Sequence, residues 1–396
     1  MTKYNFDRIL DRTQVDSVKY GLRKLLFNDE SVIPLWVADM DFATPDFIIE
    51  ALQQRLNHPV FGYGFRSPNY NKTIVNWLSE QYQWEVRPVE VSFSPGVVPG
   101  LVMSVLAFTQ AKDKVMVQPP VYFPFYTTIQ GNDRELVYNQ LINTEQGYRI
   151  DFVDMEAKFK TGVKMFIMSN PHNPVGRVWK KEELQQIVDL CVKYDVLILS
   201  DEIHADLAFE PHIHIPIASI SKEAADRTLT FMAASKTFNI AGLSTAFVVI
   251  QQKDLLAKYN TLMDAMHLFT GNVMGSIATK AAFDNGNEWR LQMLDYVQEN
   301  IKFTKDFFEK NLPFIQFHQP EATYLLWLNF SALNWEQKRL TDFLIQSAGV
   351  GLNDGTVFNP GGEGYMRLNV ACPRETLEKA LKQMYAAFKN LDEKLN

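Results

Sequence analysis

Four clusters stand directly after short β-rich runs, and their residue types suit chemistry on a small polar ligand. Lys236 lies in Ala234-Ser235-Lys236-Thr237-Phe238, after the run 228–233. A lysine held at the depth of a strand end loses its proton more readily, and its amine becomes nucleophilic. Asp201 opens Asp201-Glu202-Ile203-His204 after the run 196–200. A carboxylate at the end of a buried strand needs a partner, either a structural donor or a cationic nitrogen of a ligand, because burying it alone is costly. After 163–169 comes Asn170-Pro171-His172-Asn173-Pro174-Val175-Gly176, where two Asn-Pro pairs and a glycine force a rigid, non-repeating backbone. After 89–93 comes Ser94-Pro95-Gly96-Val97-Val98-Pro99-Gly100, a glycine turn leading into an apolar helix near Leu101. Free N–H groups and the positive dipole end at such a helix start suit a phosphate. Taken singly, each cluster is compatible with an ordinary turn or a solvated side chain. At successive strand ends, they point to one site.

The elements that must position them follow from the apolar pattern. Seven β-rich runs are expected at 89–93, 114–118, 135–139, 163–169, 196–200, 228–233 and 245–250, with helical patterns between several of them. Runs such as KMFIMS and VLILS are apolar throughout, as strands covered on both faces are. The clearest helix is Lys181–Tyr194, with Leu184, Ile187, Val188 and Cys191 on one face. Strand–helix alternation at this spacing predicts an α/β fold with a mostly parallel central sheet, and ligands of open α/β sheets bind outside the carboxyl ends of the strands. The first 40 or so residues read as irregular and end in the apolar run 33–42; a helix is expected from Thr44-Pro45, with Thr44 as its cap. Another is expected over 69–82. After about 285 the pattern changes to helix 288–311, strand 323–329, helix 337–348, strand 365–370 and helix 374–390, a smaller α+β unit. The expected division is an N-terminal arm (1–45) packing with that small unit, a large domain (46–285) and the small domain (286–396).

Composition sets outer limits. Of 396 residues, 46% are hydrophobic and 21% charged, an ordinary globular balance. The net charge of −7 argues against nucleic-acid binding, which wants a basic face. No apolar run reaches the roughly 18 residues of a membrane span, and the start lacks the layout of a secretory signal, so a cytoplasmic protein without a membrane partner is expected. Two cysteines, Cys191 and Cys372, cannot build a disulfide framework, and no Cys/His cluster has metal-ligand spacing, so no metal is expected. Cys191 reads as core and Cys372 as structural. His212 and His214, flanking Ile213, read as exposed loop residues.

The ordered motifs (glycine turn, Asn-Pro-His-Asn-Pro-Val-Gly, Ser-Asp-Glu-Ile and Ser-Lys-Thr) resemble the fold-type I pyridoxal-phosphate enzymes of the class I/II aminotransferase superfamily over essentially the whole chain. Within it, residues 34–42 (PLWVADMDF), Phe61-Gly62-Tyr63 and Asp201-Glu202-Ile203-His204 resemble the MalY/PatB-like cystathionine β-lyase (C–S lyase) branch.

That resemblance implies a set of roles. Lys236 would bond covalently to pyridoxal 5′-phosphate and move the substrate Cα proton. Asp201 would pair with the protonated ring nitrogen, Asn173 would hydrogen-bond the ring's phenolic oxygen, and Tyr122 would stack on the ring. The backbone N–H groups of Val97 and Val98 would hold the phosphate, with Ser235 contributing and Tyr63 reaching it from a second subunit, which implies a homodimer with shared sites. Arg367 would clamp the substrate carboxylate in a bidentate fork, and the segment around Trp36 and Ala38 would close over the substrate. Two positions depart from the commoner aminotransferase pattern. Ser244 stands where many relatives carry an arginine for the phosphate, which must then lean on the helix end, on hydroxyls or on another cation. His204 stands where many carry tyrosine. The implied reaction is α,β-elimination on L-cystathionine or related cysteine S-conjugates, giving a thiol, pyruvate and ammonia. The alternatives are an aminotransferase of aromatic or neutral amino acids and, further off, a regulatory protein that keeps the fold to bind a partner.

Overall fold

The computed structural model describes residues 3–395. Its strands, in chain order, are β1 (Ile33–Pro34), β2 (Val91–Ser94), β3 (Lys114–Val117), β4 (Glu135–Tyr138), β5 (Ile142–Thr144), β6 (Gly147–Arg149), β7 (Val163–Ser169), β8 (Leu197–Asp201), β9 (Thr228–Met232), β10 (Ala246–Val249), β11 (Leu325–Asn329), β12 (Val350–Gly351), β13 (Asn353–Asp354) and β14 (Tyr365–Asn369). The described residues form a seven-stranded sheet in the order β2-β10-β9-β8-β7-β3-β4. Its pairs are parallel except where β10 runs antiparallel to both β2 and β9. The sheet is therefore mostly parallel, as expected, and β2, β3, β7, β8 and β9 all end on one edge. Because β10 is reversed, it begins there, bringing Ser244 and Thr245 to the same edge.

Strand positions shift by a residue or two from the sequence reading. Pro88–Glu90 forms a 3₁₀ turn, so β2 starts at Val91. Asp201 lies inside β8. Helix Lys181–Tyr194 has the expected bounds and buries the four predicted residues. The helix expected from Thr44-Pro45 is Asp46–Leu56, but Pro45 holds its capping position and no side chain caps it; the Thr44 hydroxyl donates instead to the carbonyl of Asn239 at 3.2 Å. The long-range acceptor wins over the local cap. Two short helices, Val18–Gly21 and Arg23–Phe27, interrupt the arm read as irregular. Helix Val273–Asn285 also went unseen in the sequence, since its small residues (Gly275, Ala278, Ala281, Ala282) are buried without an apolar stripe.

Strand pairing fixes the arm against the rest, and an ion cluster holds it together within. Strand β1 pairs in parallel with β12, next to the three-stranded sheet β11-β14-β13. Lys19, fully buried, lies 2.7 Å from Asp41, which also accepts from Arg12 at 2.6 Å. One continuous apolar core then runs from Met40 and Trp77 through Phe238 to Leu325 and Leu381. No helix among the described residues is long and apolar enough to cross a membrane.

Candidate active site

The carboxyl edge of the large sheet encloses a cavity of about 290 Å³ whose walls include Ala38, Val97, Val98, Tyr122, Asn173, Asp201, His204, Ser235, Lys236 and Ser244. Helix Val97–Phe108 starts against it with no side-chain cap, leaving its first N–H groups free to meet a ligand. Gly100 allows that helix to press on the sheet: a Cβ there would come within 2.5 Å of Phe231 and of Ser94 Oγ.

Lys236 follows β9 and is locked from both sides. The hydroxyl of the next residue, Thr237, donates to Asp206 Oδ2 at 2.8 Å, and Trp77 Nε1 donates to Asp206 Oδ1 at 2.9 Å, with the Tyr82 hydroxyl on the same oxygen. This ties the lysine loop to helix Pro68–Tyr82. The Lys236 amine donates to the carbonyl of Ala38 at 2.5 Å. Burial, reinforced by the charge of Arg367, pushes its pKa down to about 8.

Asp201 is buried, and its Oδ1 accepts the Ile203 N–H at 3.1 Å. Burial pushes its carboxyl up to about 7. No cationic side chain among the described residues forms an ion pair with it. Neighbouring Glu202 faces elsewhere, accepting from Ser200 Oγ at 2.7 Å and the Ile217 N–H at 3.1 Å, with His214 Nε2 2.8 Å away. His214 is therefore buried, against the exposed position expected for it, because the Glu202 carboxylate gives it a partner inside. His204 is pushed down to about 3, first by burial and then by Lys236 and Arg367, so it is neutral; its Nδ1 has no hydrogen-bond partner among the described residues. Burial raises the Tyr122 phenol, which keeps its proton.

Arg367 enters from β14. Its Nη1 donates to Asn173 Oδ1 at 3.0 Å, and its Nη2 donates to the Trp36 carbonyl at 3.0 Å and to Asn353 Oδ1 at 2.8 Å. The guanidinium lies over the Phe358 ring at 4.9 Å. Every acceptor is neutral, and its buried Nε has no hydrogen-bond partner among the described residues. Burial pushes the group down to about 10.

Lys236, Tyr122, Asp201, Asn173, Val97, Val98, His204, Ser235 and Ala38 thus converge on one cavity, with Arg367 bound to Asn173. Besides Arg367, which meets the wall through Asn173, two expected residues lie outside it. The Trp36 ring turns away, its Nε1 donating to the Lys19 carbonyl at 3.2 Å, so only its backbone reaches the site. Tyr63 is fully exposed, beside exposed Phe61 and Phe65. Asn353 and Tyr324, which donates to the Ala38 carbonyl at 3.2 Å, were not anticipated; neither sits in a local motif.

Comparison with known proteins agrees with this fold. The family model described as "Aminotransferase class I and II" matches residues 30–384. The chain is 40% identical to cystathionine beta-lyase PatB of Bacillus subtilis, over 97% of this chain and 100% of that one. It is 30% identical to protein MalY of Escherichia coli, over 98% and 99%. The structure of a PLP-bound C-S lyase from Staphylococcus hominis complexed with the inhibitor L-cycloserine superposes with a TM-score of 0.92 at 37% identity, covering 98% of each chain. The chain belongs to the class I and II aminotransferase family and has its fold-type I architecture.

Proposed function

We propose that this chain is a pyridoxal-phosphate-dependent C–S lyase of the cystathionine β-lyase type. One observation carries the reading: a buried cavity is walled by an amine and by a carboxylate with no ion-pair cation among the described residues, and against its wall residue Asn173 stands a buried guanidinium with no ion-pair anion among them. Unmatched buried charges are costly unless a ligand completes them. Pyridoxal phosphate with an amino-acid substrate supplies a ring-nitrogen proton for Asp201, an aldehyde for Lys236 and a carboxylate for Arg367. The donor set therefore fits the cofactor. Asn173 and Tyr122 would flank its ring. The Val97 and Val98 N–H groups and Ser235 would hold its phosphate, with Ser244 beside them in place of an arginine. Similarity to PatB and to the S. hominis C-S lyase supports the lyase reading over transamination.

When bound, the cofactor supplies the electron sink that stabilises negative charge at the substrate Cα. The protein does the rest. Asp201, as a carboxylate, holds the ring nitrogen's proton in place. Arg367 orients the substrate through its carboxylate, using the Nε that now lacks a partner. Lys236, with its lowered pKa, takes the Cα proton as a neutral amine. The thiolate leaving from Cβ then needs a proton, and both Lys236 and Tyr122 hold one for it. With one water consumed, L-cystathionine yields homocysteine, pyruvate and ammonia. The full exposure of Tyr63 supports a homodimer in which it reaches the neighbouring phosphate. Release of thiol and pyruvate without a keto-acid acceptor tests the reading.

A further inference from the structure

The segment 36–42 is bound through its backbone by side chains from several elements. Arg367 donates to the Trp36 carbonyl at 3.0 Å. Asn369 donates to the carbonyls of Val37 at 2.7 Å and Asp39 at 2.6 Å. Asn239 holds Met40 and Phe42. The Ala38 carbonyl takes two donors, Lys236 Nζ at 2.5 Å and the Tyr324 hydroxyl at 3.2 Å; the Asp39 and Met40 carbonyls also take two each, but from Lys19, Asn369, Arg12 and Asn239, none of which is the amine that faces the cavity. One of the two Ala38 donors is needed elsewhere. A Lys236 amine committed to the cofactor gives up its hydrogen bond to Ala38, and a buried carbonyl left without a donor destabilises the backbone that carries it.

We infer that Tyr324 is a positioning residue that keeps the Ala38 carbonyl, and with it the segment 36–42, in place once Lys236 is engaged. The inference rests on the cofactor reading above. Tyr324 suits the task. It is 1% exposed, it follows Thr323 just before β11, and its ring meets His204 edge-on at 6.4 Å, so it is fixed independently of the lysine. Burial raises its phenol, which therefore keeps the proton it donates. The fold thus carries two donors for one carbonyl, of which one is released when the site is loaded.

The test is amide hydrogen exchange across 33–42, where Leu35, Met40 and Asp41 have hydrogen-bonded N–H groups. The unsubstituted protein and Tyr324→Phe are each measured cofactor-free and loaded with pyridoxal phosphate, with loading read from the cofactor retained after gel filtration. The expected result is a rise of about fivefold in the exchange of this segment on substitution in the loaded protein, and less than about twofold in the cofactor-free protein, where Lys236 still donates. A purely structural role for the ring would raise both equally, and that result, or no rise in either, overturns the inference alone. A chain that retains no cofactor overturns the functional reading and the inference with it. Lys236→Ala supplies a second check that leaves Tyr324 intact. Cofactor-free, its segment should stay within about twofold of the parent because Tyr324 suffices; a rise as large as that expected for loaded Tyr324→Phe contradicts the inference.

Discussion

Arg367 Nη1 and Asn173 Oδ1 are 3.0 Å apart, although the two residues are separated by 194 positions. The bond joins the Asn-Pro loop after β7 to the three-stranded sheet, so the guanidinium that would hold the substrate carboxylate is set by the residue that would face the cofactor ring. The Arg367→Lys variant keeps a positive charge but loses the fork. Its KM for the amino-acid substrate should rise about 10- to 100-fold, the worth of a charge-assisted pair, with a smaller change in kcat. Steady-state kinetics check this, and an unchanged KM places the carboxylate elsewhere.

Lys236 sets the pH dependence of cofactor capture. Its amine is protonated and unreactive below its pKa and neutral above it. The group is pushed down to about 8 from the ordinary value of 10.5, so the rate at which cofactor-free protein captures pyridoxal phosphate should climb with pH and reach half its plateau near pH 8. Stopped-flow absorbance measures it. A midpoint near 10.5 would mean that the lysine is solvated in solution.

Tyr63 gives a prediction about assembly. With its side chain fully exposed in the single chain, its removal should cost this chain's own packing little. Tyr63→Phe should leave the melting temperature of the cofactor-free protein unchanged and weaken cofactor retention by about 10- to 100-fold, the worth of one hydrogen bond to a charged group. Equilibrium dialysis against pyridoxal phosphate reads the effect; equal affinity removes the inter-subunit contact.

The buried ions of the arm carry stability. Asp41 accepts from Lys19 at 2.7 Å and from Arg12 at 2.6 Å, and Lys19 is fully buried. Asp41→Asn leaves those cations without their closest carboxylate and should lower the unfolding free energy by about 3–5 kcal/mol. Urea denaturation of the cofactor-free protein measures it, and a loss below about 1 kcal/mol would show that the network is not needed for stability.

The site's large-sheet half was legible in the sequence because it is local. Strands β7 and β8 are largely apolar and β2 and β9 are short β-rich runs, all of them mostly buried, so the clusters at their ends mark the sheet edge, and Lys236, Asp201, Asn173 and the glycine turn before Val97 were found that way. The other half is assembled by residues that no local pattern links. Tyr324, Asn353 and the Trp36 carbonyl reach the site from separate elements, through one or two contacts each. The Trp36 ring itself was expected at the site, yet the indole N–H finds an acceptor at Lys19. Neither the reversed direction of β10 nor the buried His214–Glu202 contact is written in nearby residues, since both depend on what packs alongside.

The most direct measurement is a single assay. Purified protein loaded with pyridoxal phosphate is mixed with L-cystathionine in the absence of any keto acid, and thiol and pyruvate are followed together. The account predicts equal release of both, continuing over many turnovers. No release, followed by amino-group transfer once a keto acid is added, would contradict it and make the chain an aminotransferase.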